Sequence, residues 1–425
     1  MITMGQAYLK RISDEKLKVL LRAKGAVLIE GPKWCGKTST AEEAANSVLY
    51  MQDPDTSHEN ILMAKTKPSI LLEGEAPRLL DEWQVAPELW NAVRFAVDKR
   101  RLKGQFILTG SVIPTRTEDM HTGTGRIARM HMRTMSLFES GDSSGEISLE
   151  ALFNKEVEMQ GKSKITIEKY AFLLARGGWP SVAGENNERV ALTIANDYLE
   201  AIINEDISNA DGVNKNPGRV ELLMRSLSRH ISTEARVATI LNDLKTNDES
   251  LSQNTVEQYI SALKLIFVIE DLPAWNPKLR SKRALRTTAK RHFVDPSIAT
   301  SALRATPKKL LADFETFGLL FESLCIRDLR IYADSIDGQV FHYRDKAGLE
   351  VDAIIQLADG RWGAVEVKLG AGMIEEAAEN LLKFKKSIDV EQMGEPSFMM
   401  VLTGTEYVFR LENGIWVVPL GCLRN

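Results

Sequence analysis

A glycine-rich segment near the start of the chain constrains the fold more than any other feature of the sequence. Residues 31–38 read Gly-Pro-Lys-Trp-Cys-Gly-Lys-Thr, which fits the pattern G-x-x-x-x-G-K-[ST]. An apolar run at residues 26–30 precedes this segment and predicts a buried strand, and residues 39–48 after it predict a helix. The sequence of strand, loop and helix predicts a loop that wraps phosphate groups.

The residue types in this loop fit the binding of ATP and magnesium. Backbone N–H groups of such a loop point at phosphate oxygens, and the following helix places its positive dipole end beside them. Lys37 is predicted to contact the β- and γ-phosphates, and the Thr38 hydroxyl is predicted to bind Mg²⁺. The alternative is a glycine-rich turn without a ligand. The predicted ATP-binding residues are Gly31, Pro32, Lys33, Trp34, Cys35, Gly36, Lys37, Thr38 and Ser39.

Two adjacent carboxylates indicate a second part of the same site. Asp81 and Glu82 end an apolar run, as the acidic residues of a Walker B segment do. Asp81 is predicted to hold Mg²⁺ directly or through water, and Glu82 to act as general base toward the attacking water. Thr109 ends another apolar run and is predicted to orient that water or contact the γ-phosphate. An acidic loop start and an ordinary Thr-Gly-Ser turn are the alternatives.

The chain is too long for a single hydrophobic core, since it has 425 residues. Apolar runs at residues 70–72, 78–80 and 105–108 alternate with helical patterns such as 87–101, which predicts parallel α/β architecture. Helical patterns then dominate to about residue 300, and strand-like runs return after Phe317. The predicted domains are a P-loop domain at 1–140, a helical region at 150–305 and an α/β domain at 306–425.

Composition and cysteine usage exclude several classes of protein. With 44% hydrophobic and 26% charged residues, the chain has the composition of a folded domain rather than a disordered one. No apolar run reaches the roughly 18 residues of a membrane span, and the N-terminus lacks a run of signal-peptide length. The three cysteines are widely spaced without a C-x-x-C pair, which predicts a reduced, cytoplasmic protein.

The segments GPKWCGKTST, LLDEWQVAPELWNAVRFAVD and GQFILTGS resemble the bacterial and archaeal AAA-type ATPases that carry a C-terminal DUF4143 region. Further matching segments, including FLLARGGWPSV, YLEAIINEDIS and AVEVKLG, extend the resemblance over nearly the whole chain. The resemblance implies ATP binding and an ATPase fold related to AAA+ proteins. It also implies that Arg126 or Arg129 contacts phosphate in a neighbouring subunit as an arginine finger. An ordinary salt-bridged or solvated arginine is the alternative.

The middle region has helical apolar spacing at residues 235–244 and 254–268, separated by polar turn residues. This pattern resembles a winged-helix unit, whose second helix can enter a DNA major groove. A basic stretch follows without an acidic residue and is a candidate wing that contacts DNA or RNA phosphates. A winged helix that packs against protein and a solvated basic loop are the alternatives. The basic residues are Lys278, Arg280, Lys282, Arg283, Arg286, Lys290 and Arg291.

A second group of charged residues lies on two strand-like segments near the C-terminus. Residues 366–368 read Glu-Val-Lys, and strand alternation puts Glu366 and Lys368 on one face. The pattern resembles the core of PD-(D/E)xK nucleases, in which Asp352 and Glu366 would bind a metal and Lys368 would activate water. Glu322 on a preceding helix matches an acidic residue often found there. Glu-Val-Asp replaces the nominal Pro-Asp, and chance alternation of charges on an exposed strand is the alternative.

These patterns together predict Mg-dependent ATP hydrolysis coupled to nucleic-acid binding or processing through a nuclease-like C-terminal domain. The alternative is a nucleotide-controlled switch that recruits protein partners and carries an inert C-terminal domain. A third hypothesis is an ATP-binding protein with negligible turnover. The predicted partners are ATP, DNA or RNA through the stretch 278–291, and a protein partner or a second copy of the chain, without a membrane.

Overall fold

The computed structural model describes residues 8–112, 122–155, 159–185, 187–276 and 288–425. Two compact units divide the chain. The N-terminal unit comprises residues 1–134, 206–214 and 262–268, and the C-terminal unit comprises residues 135–205, 215–261 and 269–425. Among the residues described, no helix is both long and apolar enough to cross a membrane.

A parallel sheet of five described strands forms the centre of the N-terminal unit. Its strands are β1 (Ala26–Glu30), β2 (Ser47–Tyr50), β3 (Arg78–Asp81), β4 (Phe106–Gly110) and β5 (Ile127–His131). The strand order is β2-β3-β4-β1-β5, so β4 lies between β1 and β3. The helices between these strands, and the one before them, are α1 (Ser13–Ala23), α2 (Lys37–Ala44), α3 (Ser57–Thr66) and α4 (Glu88–Arg100).

Both faces of this sheet are covered, which explains why β1 and β4 are almost wholly apolar. Leu28, Leu80 and Leu108 pack with α4 on one face, whereas Val27 and Ile107 pack with α1 and α2 on the other. Because all five strands are parallel, their carboxyl ends meet at one edge of the sheet. The loops that follow β1, β3 and β4 therefore converge there.

The predicted P-loop sheet is confirmed, with differences in two elements. The strand predicted at residues 70–72 is wrong, because residues 68–70 form a 3₁₀ turn that starts with a proline, whose fixed φ suits a turn. The helix predicted at residues 39–48 ends at Ala44, and β2 begins at Ser47. The valine, leucine and tyrosine of β2 favour a strand beside β3 over a further helical turn.

Helices dominate the middle of the chain, as predicted. They are α5 (Leu149–Phe153), α6 (Ile167–Arg176), α7 (Glu188–Ala201), α8 (Ile207–Asn209), α9 (Pro217–Arg229), α10 (Val237–Lys245), α11 (Gln253–Leu265), α12 (Pro296–Ala302) and α13 (Pro307–Ala312). A π-helical turn at Ile202–Asp206 follows α7. Short strands are β6 (Ile147–Ser148), β7 (Ile269–Leu272) and β8 (Lys290–Phe293), and β7 and β8 pair antiparallel.

A mixed sheet of six described strands forms the last part of the C-terminal unit, with the order β13-β14-β12-β11-β10-β9. Its strands are β9 (Gly338–Arg344), β10 (Glu350–Leu357), β11 (Trp362–Lys368), β12 (Phe398–Thr403), β13 (Phe409–Arg410) and β14 (Trp416–Pro419). The accompanying helices are α14 (Phe314–Ser335), α15 (Ile374–Ser387) and α16 (Val390–Met393), and β15 (Leu423–Arg424) pairs with β6. Trp275, Trp362 and Phe384 lie in the core between α15 and the sheet.

Candidate functional site

The phosphate-loop segment, residues 31–39, joins the end of β1 to the start of α2. The backbone requires both of its glycines. A Cβ atom at Gly31 would overlap the carbonyl oxygen of Met132, and Gly36 has a left-handed φ of 97° just before α2. The loop is therefore tight and leads directly into a helix N-terminus, an arrangement that binds phosphate.

The side chains of the loop divide into an inner and an outer set. Pro32, Cys35 and Lys37 are buried, whereas Lys33 and Trp34 are exposed, as is Ser39 at the first turn of α2. The Lys37 Nζ donates a hydrogen bond of 2.7 Å to the carbonyl oxygen of Pro32, within its own loop. Lys37, which is predicted to contact the phosphates, is therefore bonded to a neutral carbonyl group rather than to an acid.

Hydrogen bonds connect the loop to the predicted Walker B aspartate. The hydroxyls of Thr38 and Thr109 donate to the same carboxylate oxygen of Asp81, at 2.8 Å and 2.6 Å. The three residues come from α2, β4 and β3, whose ends meet because β4 lies between β1 and β3. Hydroxyl and carboxylate oxygens are ligands that Mg²⁺ prefers, so these residues fit a magnesium ion beside the phosphate loop.

Glu82 is held in an unusual backbone conformation directly after β3. Its φ of 53° lies in the left-handed region, which costs a non-glycine residue roughly 1 kcal/mol and is concentrated at functional sites. The Glu82 N–H donates to the Thr109 hydroxyl at 3.0 Å, and its carboxylate accepts from the Gln84 amide and from Ser111 at 3.3 Å. Thr109 thus fixes Asp81 and Glu82 relative to each other, a role that sequence reasoning did not anticipate.

The two arginines named as arginine-finger candidates form ion pairs inside the N-terminal unit. Arg126 contacts Asp98 at 2.8 Å, and Arg129 contacts Glu30 at 2.7 Å and lies over the ring of Trp90. Both arginines are partly exposed, and exposed ion pairs contribute about 0–1 kcal/mol. The arginine-finger role stays a prediction, since separating either pair costs little.

Two further contacts tie the phosphate loop to distant parts of the N-terminal unit. The buried Arg11 donates to the carbonyl oxygens of Cys35 and Arg133, at 2.7 Å and 2.9 Å. Lys33 pairs with Asp206 at 2.6 Å. Sequence reasoning missed both partners. The only signal for Asp206 was its place in the segment YLEAIINEDIS, and Arg11 had none.

The second predicted site is an acid cluster in the C-terminal unit, formed by Glu322 on α14, Asp352 on β10 and Glu366 on β11. The structure brings these three carboxylates together with the predicted Lys368, whose Nζ lies 3.2 Å from Glu366. Asp352 accepts a hydrogen bond of 2.8 Å from the N–H of Val367, which fixes its side chain between β10 and β11. The residues predicted from strand alternation and from the resemblance to PD-(D/E)xK nucleases therefore lie close together.

A fifth residue, Lys290 on β8, enters the acid cluster. Its Nζ lies 3.0 Å from Glu322 and 3.5 Å from Asp352, and the side chain is buried. Each acid is thereby engaged, since Glu366 also accepts from the Asn380 amide at 2.9 Å. Within the described ranges, no group of three His, Cys, Asp or Glu side chains is arranged to hold a metal. The predicted second magnesium site would require Lys290 to leave, so in this arrangement the residues do not fit the ion.

Burial and mutual repulsion shift the titration of the cluster. Burial, and then the negative charge of Asp352, raise the pKa of Glu322 to about 7 and that of Glu366 to about 8. The pKa of Lys290 is also raised, because attraction to Glu322 and Asp352 outweighs the opposing effect of burial. The cluster thus combines two ammonium groups with two glutamates whose protonated forms are favoured by burial and by the charge of Asp352.

The last two residues of the basic stretch predicted to contact nucleic acid instead contact acidic residues of the same chain. Lys290 lies in the acid cluster, and Arg291 is largely buried with its Nε 3.7 Å from Asp271. Both cations are therefore paired with acidic side chains of the C-terminal unit. The others, Lys278, Arg280, Lys282, Arg283 and Arg286, lie outside the described residues.

Comparisons with protein families and solved structures bear on this site. Family models match an AAA domain at residues 23–140, a domain of unknown function, DUF8612, at 167–309, and a domain of unknown function, DUF4143, at 317–423. The family resemblance predicted from the sequence is thereby confirmed. The chain is similar to a Walker-type ATPase of Pyrococcus abyssi at 17% identity, with a TM-score of 0.43, over 71% of this chain and 97% of that chain. A search of curated proteins found no match.

Proposed function

We propose that this chain, an AAA-type ATPase with a C-terminal DUF4143 region, is an ATP-controlled switch whose nucleotide-bound forms recruit different partners. The arrangement of Thr38, Asp81, Thr109 and Glu82 supports the ATP-hydrolysing part of this proposal. The pairing of Lys290 with the acid cluster supports the non-catalytic role that we assign to the C-terminal unit.

Nucleotide binding uses the loop between β1 and α2. The backbone N–H groups of residues 31–39 bind the phosphates, and Lys37 exchanges its bond to the Pro32 carbonyl for a phosphate oxygen. Thr38 and Asp81 would hold magnesium, which would neutralise charge on the phosphate oxygens. The hydroxyl donors on Asp81 keep its carboxylate oriented toward the loop.

Hydrolysis depends on Glu82 as general base for the attacking water. Its carboxylate is held by Gln84 and Ser111, and its backbone by Thr109, so the side chain is oriented before the substrate binds. Removal of a general base lowers a rate by about 100- to 10,000-fold. Glu82→Gln should therefore retain ATP binding and lose phosphate release by at least about 100-fold. Glu88→Gln, an exposed residue on α4, is the matched control.

A second candidate function is cleavage or remodelling of nucleic acid under the control of ATP. The observation that favours it is the placement of Asp352, Glu366 and Lys368 on adjacent strands, beside Glu322 on a helix. The helices α9 to α11, followed by the antiparallel strands β7 and β8, add support, because that element order is typical of winged-helix DNA-binding units. This function requires Lys290 to be displaced from the cluster.

One experiment separates the two candidates. Phosphate release with magnesium is measured for the wild type, Glu82→Gln and Lys37→Ala, with and without single- and double-stranded DNA and RNA, and strand cleavage is followed in parallel. The switch predicts turnover that is indifferent to nucleic acid and no cleavage. Stimulated turnover, with cleavage lost in Lys368→Ala and retained in the exposed-site control Lys346→Ala, would establish the second function instead. Turnover that is negligible in the wild type and unchanged in Glu82→Gln would indicate a nucleotide-binding protein without hydrolysis.

A further inference from the structure

An ion pair connects the phosphate loop to the turn that follows α7. The Nζ of Lys33, the third residue of the loop, lies 2.6 Å from a carboxylate oxygen of Asp206. The Asp206 side chain is only 8% exposed, whereas Lys33 is 47% exposed. The acid is therefore buried, and the lysine is the solvent-exposed partner.

Lys33 stands where a free ammonium group would affect nucleotide binding. It lies two residues after Gly31 on the loop predicted to wrap the phosphates, and Lys37 already provides a buried cation from the same loop. A flexible lysine beside a triphosphate is attracted to it, and charge-assisted hydrogen bonds to phosphate are stronger than those between neutral groups. Asp206 and a bound phosphate are thus competing partners for one ammonium group.

Asp206 also occupies a distinctive backbone position. It is the last residue of the π-helical turn Ile202–Asp206, and its carbonyl oxygen accepts from the N–H of Ala210 at 3.0 Å in the helical continuation. Single π-helical turns are rare and occur frequently at functional sites. Asp206 therefore lies at the junction between the π-helical turn and α8, with its side chain paired to Lys33.

We infer that Asp206 is a positioning residue of the ATP site, which holds the Lys33 ammonium away from the phosphates and thereby weakens nucleotide binding enough for product to leave. This inference rests on the proposed function, since ATP is its ligand. It assigns a regulatory role to a residue outside the segment 31–39 and outside Asp81, Glu82 and Thr109.

The test is a double-mutant cycle on Lys33 and Asp206. Affinities for ATP and ADP are measured by calorimetry with magnesium for the wild type, Asp206→Asn, Lys33→Met and the double variant, with Lys37→Ala as the control for binding at this loop. Asp206→Asn frees Lys33 for the phosphates and should tighten ATP binding about threefold to tenfold, as expected for a partly exposed charge. In the Lys33→Met background the same change should have no effect, because no ammonium group remains to be released.

Steady-state kinetics distinguish this role from a purely structural one. Asp206→Asn should lower KM and also lower kcat, because tighter ADP binding slows product release, and Asp206→Glu should restore wild-type values. A structural role predicts instead that Asp206→Asn weakens binding equally in the wild-type and Lys33→Met backgrounds, and that result would overturn the inference. Unchanged affinity in Asp206→Asn would overturn it too, while leaving the proposed function intact. Absence of ATP binding in the wild type would overturn both.

Discussion

The two candidate sites both gather acidic residues, but the groups that contact these acids differ in charge between the sites. In the N-terminal unit, Asp81 is bonded by two neutral hydroxyls, and the nearby Lys37 bonds to a carbonyl. In the C-terminal unit, Lys290 and Lys368 contact the acids directly. The negative charge of Asp81 is therefore not paired with a lysine in the first site, whereas the acids of the second site are paired with lysines.

This difference shows why a cluster of acids does not by itself define a metal site. A carboxylate oriented by neutral donors retains its charge for an incoming ion, whereas a buried ammonium already offsets most of the charge of the carboxylate with which it pairs. On our proposal, magnesium-dependent chemistry therefore belongs to the N-terminal unit. The predictions below test this contrast, from the largest expected effect to the smallest.

The largest effect is expected from Lys37→Ala, which removes the cation of the first site. No other buried lysine is described in the segment 31–39, so phosphate release should fall by at least about 100-fold, as for loss of one oriented donor to a developing charge. The measurement is a phosphate-release assay at saturating magnesium ATP. Lys65→Ala, on the exposed side of α3, should behave as the wild type. Near-normal turnover of Lys37→Ala would contradict the placement of ATP hydrolysis at the first site.

Lys290→Met should produce the next largest effect, because it leaves buried acids without one of their cations. Breaking a buried ion pair from one side costs about 3–5 kcal/mol. Chemical denaturation followed by tryptophan fluorescence should report this loss of unfolding free energy, and the exposed-site variant Lys346→Met should not show it. The Lys290→Met protein should also gain Mn²⁺ binding that Glu322→Gln removes. Equal Mn²⁺ binding by the wild type at this cluster would contradict self-neutralisation.

The second site should also make stability depend on pH. The pKa values of Glu322 and Glu366, about 7 and about 8, lie above those of unfolded glutamate, so the folded state binds more protons between pH 5 and pH 8. The unfolding free energy of the C-terminal unit should therefore fall by several kcal/mol as pH rises through this window, and level off above it. Glu366→Gln should flatten the profile, unlike the exposed-site control Glu375→Gln. A profile unchanged by Glu366→Gln would contradict the assignment.

The smallest effect is expected at Thr109, whose hydroxyl connects Asp81 to the Glu82 backbone. Thr109→Val keeps the shape and removes the hydroxyl, so kcat should fall about tenfold, as for a lost positioning hydrogen bond of about 1.4 kcal/mol. Thr109→Ser retains the hydroxyl and should stay close to wild type in the same assay. An equal loss in both variants would indicate packing around the buried Thr109 rather than the hydrogen-bond relay.

The N-terminal site was largely predictable because its chemistry is local. The pattern of residues 31–38 specifies a tight loop, and the apolar runs before Asp81 and Thr109 place both side chains at strand ends. Parallel strands then bring those ends together without further information. The strand order was not predictable in the same way, because it depends on pairing between distant segments.

The C-terminal site was predictable only in part, because its decisive contact spans distant segments. Strand alternation placed Glu366 and Lys368 on one face, but Lys290 comes from β8 and was interpreted as part of a basic wing. A run of basic residues indicates affinity for acidic groups without indicating whether those groups belong to a ligand or to the same chain. Lys33 and Asp206 were missed for the same reason.

The strand order β2-β3-β4-β1-β5 has a consequence for the newly made chain. Of these five strands β1 leaves the ribosome first, yet in the finished sheet it is flanked by the last two, β4 and β5. At about 5–20 residues per second, the roughly 100 residues between β1 and the end of β5 take about 5–20 seconds to synthesise. For most of that time the apolar residues 26–29 lack both neighbours, because β4 is complete only at residue 110 and β5 only at residue 131. Nascent chains that stop before residue 106 should therefore be protease-sensitive there and bind chaperones.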